Sequence, residues 1–249
     1  MALNSYRGEF VLVGGWAPYF LTKNYYDHCG SIDIDLVLRP SILPRYENIK
    51  DIVEGLGYEI TENPFRFERK IHTMDKSGTF PLHLDLLTEP EPALEQGFLV
   101  EIQESLRACL IPGISVVFDH FFEYDLEAGL PLGGDAVFSI DIADIVGVLT
   151  TKGNALGRLK DKDSYDIYSV SGFCMGSPQK AAKLFNDLTG DDKDNSRVLQ
   201  ALRNIKGGFS SPTRYGCVSA ARFIGSNGAT RNDVYVRVTT FLNELELIL

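Results

Sequence analysis

The chain has 249 residues, a formal net charge of −10, 44% hydrophobic residues and 23% charged residues. That length suits one large domain or two modest ones, and the composition is that of a soluble globular protein. No apolar run approaches the ~20 residues needed to span a bilayer, and the acidic balance argues against a broad nucleic-acid surface, whose affinity comes from Lys and Arg.

Residues 10–13 (FVLV) form a short apolar run ended by Gly14-Gly15, the pattern of a strand entering a tight turn. Residues 16–26 follow at helical spacing, with Pro18 in the first turn where proline is tolerated. Residues 33–38 read as a second strand, stopped by Arg39-Pro40, and residues 46–56 as a helix closed by Gly57. After a short extended piece at 58–61, residues 65–74 and 79–87 form a hairpin around Asp75-Lys76-Ser77-Gly78. Residues 99–108 and 114–124 read as further extended segments, with Pro112-Gly113 between them.

The stretch 129–135 (GLPLGGD) shifts composition and is the candidate domain boundary. Beyond it the helical period dominates, at 140–159, 178–189, 196–205 and 232–247. The acidic run 190–194 reads as a solvated loop. Four scattered cysteines without a CxxC fit a reducing compartment, and His28-Cys29 has no second pair at zinc-ligand spacing. The start of the chain lacks the apolar core and cleavage site of a secretory signal, so a cytoplasmic protein without a membrane anchor is the expectation.

The chemistry concentrates in SIDIDLVL. Side chains two apart on a strand share a face, so Asp33 and Asp35 project together while Ile32, Ile34 and Leu36 point the other way. Two adjacent carboxylates repel and lose hydration, a cost that a divalent cation removes. Mg²⁺ takes one or two carboxylates together with substrate phosphates. A third carboxylate, Asp85, stands among leucines in HLDLL. Gly14-Gly15 would let backbone approach a phosphate closely at a helix start.

The order VLVGGWA, then DIDLVL, then HLDLL resembles the nucleotidyltransferase superfamily of the polymerase-beta type. Its pattern is a glycine pair after a hydrophobic residue, an acidic–hydrophobic–acidic triplet, and a later acidic residue between hydrophobics. GGWAPYFL followed by SIDIDLVL is similar to the AbiEii/AbiGii branch, whose members are toxins of abortive-infection and toxin–antitoxin systems. Residues 152–168 (KGNALGRLKDKDSYDIY) resemble the lysine- and aspartate-bearing helix of that branch. Trp16 departs from the pattern, standing where relatives often carry threonine or serine.

The resemblance implies an α/β (α+β) protein: a nucleotidyltransferase-like mixed-sheet domain over 1–132, followed by a helical domain over 133–249, with the nucleotide in the cleft between them. It implies Asp33, Asp35 and Asp85 as catalytic residues and ligands of Mg²⁺, two ions in all, with Asp85 also a general base. Gly14, Gly15, Ser31, Lys152 and Asp166 would bind the nucleotide. The reaction would move an NMP from an NTP to an acceptor hydroxyl of tRNA, protein or a small molecule, with an antitoxin protein as partner. Two other functions stay open: an aminoglycoside-type small-molecule nucleotidyltransferase, which suits the negative charge, and a non-catalytic nucleotide- or partner-binding module. Plainer roles also stand beside these. Asp85 could pair with Arg66, Arg69 or Lys70, Lys152 could be a snorkelling helix lysine, and Arg158, Asp163 and Asp166 could form an ordinary ion network. Ser31 could merely satisfy a turn, His83 could be a hydrogen-bonded neighbour of Asp85, and Tyr165, Tyr168, Tyr215 and Tyr235 could be core edges.

Overall fold

The computed structural model describes residues 6–40, 48–72, 78–89, 99–129, 133–190, 195–225 and 228–246. It is a mixed α/β fold with nine strands and eight α-helices among the described residues, and its C-terminal region is helical. No helix among the described residues is long and apolar enough to cross a membrane. The chain divides into two compact units, Met1–Trp16 with Ser31–Ala143, and Ala17–Gly30 with Asp144–Leu249.

The first unit is built on the sheet. Its strands are β1 (Phe10–Leu12), β2 (Asp33–Leu38), β3 (Glu59–Ile60), β4 (Arg66–His72), β5 (Thr79–Thr88), β6 (Leu99–Gln103), β7 (Leu106–Leu110), β8 (Phe121–Gly129) and β9 (Asp135–Ala143). The main order is β3-β4-β5-β2-β1-β9-β8, and β6 and β7 attach through β7 to the end of β5. β2 runs parallel to β5 and antiparallel to β1, while β4 and β5 form the expected antiparallel hairpin. The turn at 75–77 lies outside the described residues. Alternation along these strands puts Leu36 and Leu38 of β2, Phe67 of β4, and Leu84 and Leu86 of β5 into the core. Ile49, Ile52 and Val53 of helix α2 (Ile49–Gly55) are buried as well, and Asn48 caps that helix by accepting from the Lys50 N–H at 3.0 Å.

Several extended segments resolve differently from the sequence expectation. Residues 99–108 fold back on themselves as β6 and β7, turning at Ser105 with φ 58°. Ile114–Phe118 is a 3-10 turn that precedes β8. The described ends of GLPLGGD belong to the β8–β9 hairpin, with Gly129 paired to Asp135 and Gly133 and Gly134 at positive φ, while 130–132 lie outside the described residues. β9 therefore belongs to the sheet, and the units divide after Ala143 rather than at 132/133. Residues 140–143, expected as the start of a helix, are the end of β9. Ile142 pairs there with both Phe122 and Leu12, so strand pairing on two sides overrides local helix propensity.

The second unit contains most of α1 (Trp16–Thr22) and the helices α3 (Ile145–Ala155), α4 (Asp161–Phe173), α5 (Pro178–Thr189), α6 (Ser196–Gly208), α7 (Tyr215–Ile224) and α8 (Gly228–Asn243). Asp144 caps α3 by accepting from the N–H groups of Val146 and Gly147, and Ser177 with Pro178 opens α5. The stretch 152–168 is two helices rather than one, because Leu159 takes φ 58° and ends a 3-10 turn over Leu156–Arg158. α7 has no counterpart in the sequence reading. Of the acidic run 190–194, residues 191–194 lie outside the described residues.

α3 and α6 approach so closely at Gly153 that an added Cβ would lie 2.7 Å from the Ala201 carbonyl oxygen. Gly153→Ala must push the two backbones apart. It is expected to lower stability by about 1–3 kcal/mol in chemical denaturation, despite the better helix propensity of alanine.

Candidate functional site

Three adjacent strands of the first unit carry a charged face. Asp35 of β2 is the register partner of Asp85 on β5, and Asp85 is the partner of Arg66 on β4. One pleat repeat away, Asp33 stands beside His83, and His83 beside Glu68. The same alternation that sends Phe67, Leu84 and Leu86 into the core therefore collects Asp33, Asp35, Asp85, His83, Arg66 and Glu68 on the other side. Further along β2 this side closes over, since Val37 is fully buried.

Electrostatics decides how the face is held. The Asp85 side chain is 8% exposed, and an unpaired buried carboxylate is costly. Arg66 meets it as a fork, Nε to Oδ1 at 2.7 Å and Nη2 to Oδ2 at 2.6 Å. This hydrogen-bonded pairing raises the Arg66 pKa against the opposing effect of burial, and the charges of Asp33 and Asp35 add to the rise. His83 Nδ1 lies 2.9 Å from Asp33 Oδ1, and its Nε2 lies 3.3 Å from Glu68 Oε2. Asp33 and Asp35 remain partly exposed.

Gly14 lies against Asp35. It has φ 64°, and a Cβ there would sit 1.9 Å from Asp35 Oδ2. The neighbouring backbone is tied to the same residue, with Val13 N–H donating to the Asp35 carbonyl at 2.9 Å. Gly15 is buried. Ser31 Oγ accepts from the Asp33 N–H at 3.2 Å and so fixes the start of β2.

The donor set suits a hard divalent cation: three carboxylates on two neighbouring strands, two of them partly exposed, with a glycine leaving room for Asp35. The side chains are not arranged as a coordination sphere. Among the described residues no group of three His, Cys, Asp or Glu side chains is set to hold a metal ion. The fork from Arg66 accounts for this at Asp85, since it takes up both carboxylate oxygens.

Lys152 and Asp166 belong to the second unit, where they are brought to each other. Lys152 Nζ lies 2.8 Å from Asp163 Oδ1 and 2.7 Å from Asp166 Oδ2. Arg158 reaches Asp163 Oδ2 at 3.2 Å, and Lys162 reaches Asp166 Oδ1 at 3.1 Å. His28 Nδ1 accepts from the Gly30 N–H, leaving Nε2–H to donate to Asp166 Oδ1 at 3.1 Å. Burial alone would lower the Lys152 pKa and raise that of Asp166. The opposite charges overcome it, holding Lys152 above the ordinary lysine range and Asp166 far below the carboxylate range. The Lys152 ammonium is thus already committed to two carboxylates, and the cluster fastens the 17–30 segment to α3 and α4. Tyr165 belongs to the same packing, its ring stacked on His28 at 4.9 Å and its hydroxyl accepting from the Cys29 N–H.

Arg66, His83, Glu68 and His28 are the residues whose part in these clusters the sequence left undecided or unnoticed. The signal for Arg66, Glu68 and His83 was hairpin register, which sets residue 66 opposite 85 and residue 68 opposite 83. No comparable local signal ties His28 to a residue 138 positions away.

Two outcomes follow from this geometry. Gly14→Ala combines a strained φ with a collision at the Asp35 carboxylate, and is expected to cost about 1–3 kcal/mol in denaturant titration. Asp166→Asn leaves Lys152 and Lys162 undercompensated and is expected to cost about 3–5 kcal/mol. Because the folded pKa of Asp166 is depressed, its contribution is full above the unfolded value of 3.8 and is lost as pH falls below it. Stability profiles of wild type and Asp166→Asn should therefore converge in acid and separate above that value. No protein-family model, curated protein or solved structure matches the chain.

Proposed function

We propose that the chain is a metal-dependent nucleotidyltransferase whose reaction centre is the face formed by β2 and β5. The observation that carries this reading is the placement of Asp33, Asp35 and Asp85 on one side of two neighbouring parallel strands, with Gly14 pressed against Asp35. The proposed reaction joins an acceptor oxygen to the α-phosphorus of an NTP, breaks the bond to the β-phosphate bridge, and releases pyrophosphate. Asp33 and Asp35 would hold Mg²⁺, with Asp85 as the third carboxylate. Bound there, the metal supplies positive charge against the triphosphate and the transferring phosphoryl group.

The chain's own residues have separate tasks. Gly14 leaves the space that the Asp35 carboxylate fills and keeps side-chain bulk away from it. Ser31 and His83 orient Asp33, through the backbone N–H and the carboxylate respectively. An Asp85 oxygen freed from Arg66 would accept the proton of the attacking hydroxyl.

The acceptor class follows from charge. With −10 overall, a cationic small molecule or a basic protein surface meets favourable long-range attraction, whereas RNA requires a local basic groove. The toxin assignment, with an antitoxin partner, rests on the motif resemblance. One observation favours a second reading, a nucleotide- or partner-binding module without turnover: the Arg66 fork already neutralises Asp85.

Incubation with NTPs radiolabelled at the α-phosphate, in Mg²⁺ and a total cell extract, tests the proposal. Wild type should transfer label, and Asp35→Asn should transfer about 100-fold less or weaker still while melting as a folded protein. Equal labelling by Asp35→Asn refutes the role of this face. Mg²⁺-dependent NTP binding without any transfer by wild type selects the second reading.

A further inference from the structure

Arg66 is the cation that meets Asp85 on the carboxylate face, and its position bears on how a metal would enter. It sits opposite Asp85 in the β4–β5 register, while Asp35 is the neighbour of Asp85 on the other side. Both oxygens of Asp85 accept from the fork. The guanidinium is 30% exposed and Asp85 8%, so the pair is shielded from water on the carboxylate side and open on the arginine side. Arginine stays charged at any working pH, and its planar fork matches a carboxylate better than an ammonium does.

We infer that Arg66 is a built-in competitor of the metal: it holds Asp85 while the face is metal-free and must let go before Asp85 can join a divalent cation. The inference rests on the nucleotidyl-transfer reading of the face and adds to it a device that sets metal affinity.

The physical ground is mutual exclusion. A guanidinium and a divalent cation on one carboxylate repel each other strongly where water is scarce. The oxygens that a metal would need are the ones that accept hydrogen bonds from the Arg66 Nε–H and Nη2–H. Without Arg66, the Asp85 carboxylate would lose its fork beside Asp35, its register partner, a state in which cation uptake relieves both repulsion and lost hydration. The arginine therefore stabilises the metal-free protein at the expense of metal affinity. The open side toward solvent gives its side chain somewhere to go when released.

The experiment is a Mn²⁺ titration of the full chain without nucleotide, read from the electron paramagnetic resonance signal of free Mn²⁺, for wild type, Arg66→Gln and Arg66→Lys. Melting temperatures are recorded in chelator and in Mn²⁺. Arg66→Gln should bind Mn²⁺ about tenfold tighter than wild type, and Arg66→Lys by a smaller factor because an ammonium cannot fork. In chelator Arg66→Gln should melt below wild type, and Mn²⁺ should raise its melting point by more than it raises that of wild type. Measurable wild-type affinity with no gain in Arg66→Gln overturns the inference and leaves the nucleotidyl-transfer reading standing. Absence of Mn²⁺ binding in both proteins removes the metal site itself, and with it both claims. Should Arg66→Gln fail to fold, the comparison of Arg66→Lys with wild type decides, and equal affinities there overturn the inference.

Discussion

Like-charge repulsion is the constraint around which the first unit is organised. Asp33, Asp35 and Asp85 share a face of the sheet with Glu68, and Arg66 is set against Asp85 and His83 against Asp33 in the two register rows. The arrangement persists because the opposite face is committed to the core. Phe67 and Leu86 are fully buried, and sliding either strand by one residue would turn them to solvent and the carboxylates inward. Hydrophobic alternation thus fixes where the charges must be, and one guanidinium makes the most buried of them tolerable.

The second unit meets the same problem differently. Asp163 and Asp166 are enclosed, and their charge is answered on all sides by Lys152, Lys162, Arg158 and the His28 N–H. An enclosed, fully answered cluster acts as a fastener, since removing any member leaves a charge without compensation. The carboxylates of β2 are instead partly exposed to water. Exposure, more than the count of acidic residues, distinguishes a face that can take a ligand from one that cannot.

What was legible in the sequence follows the range of the interactions. The strand Asp33–Leu38 and the helix Pro178–Thr189 fall where alternation, proline and caps place them, because their signals are local. The shared side of Asp33 and Asp35 was legible for the same reason. Ile140–Ala143 was not, because its apolar residues fit a helix as well as a strand and only pairing with β8 and β1 decides. GLPLGGD looks like a linker locally, yet its ends Gly129 and Asp135 pair across β8 and β9. Lys152 was expected to bind the nucleotide or to snorkel on its helix, yet after the break at Leu159 the next helix brings Asp163 and Asp166 to it. The ion pair of Asp85 with Arg66 was readable as one of three candidate pairings, and the hairpin register singles it out.

The interleaving of the two units has a bearing on how the chain matures. Ala17–Gly30 lies between β1 and β2 in sequence but packs with helices that begin at Asp144. During synthesis, the strands of the sheet are all available once Ala143 has emerged, while His28 still waits for Asp166. The early segment must therefore remain unpacked as a looped excursion until the late helices arrive. A cut between residues 143 and 144 would leave the first unit whole but would part the late helices from Ala17–Gly30, the piece of their own unit that the early half carries.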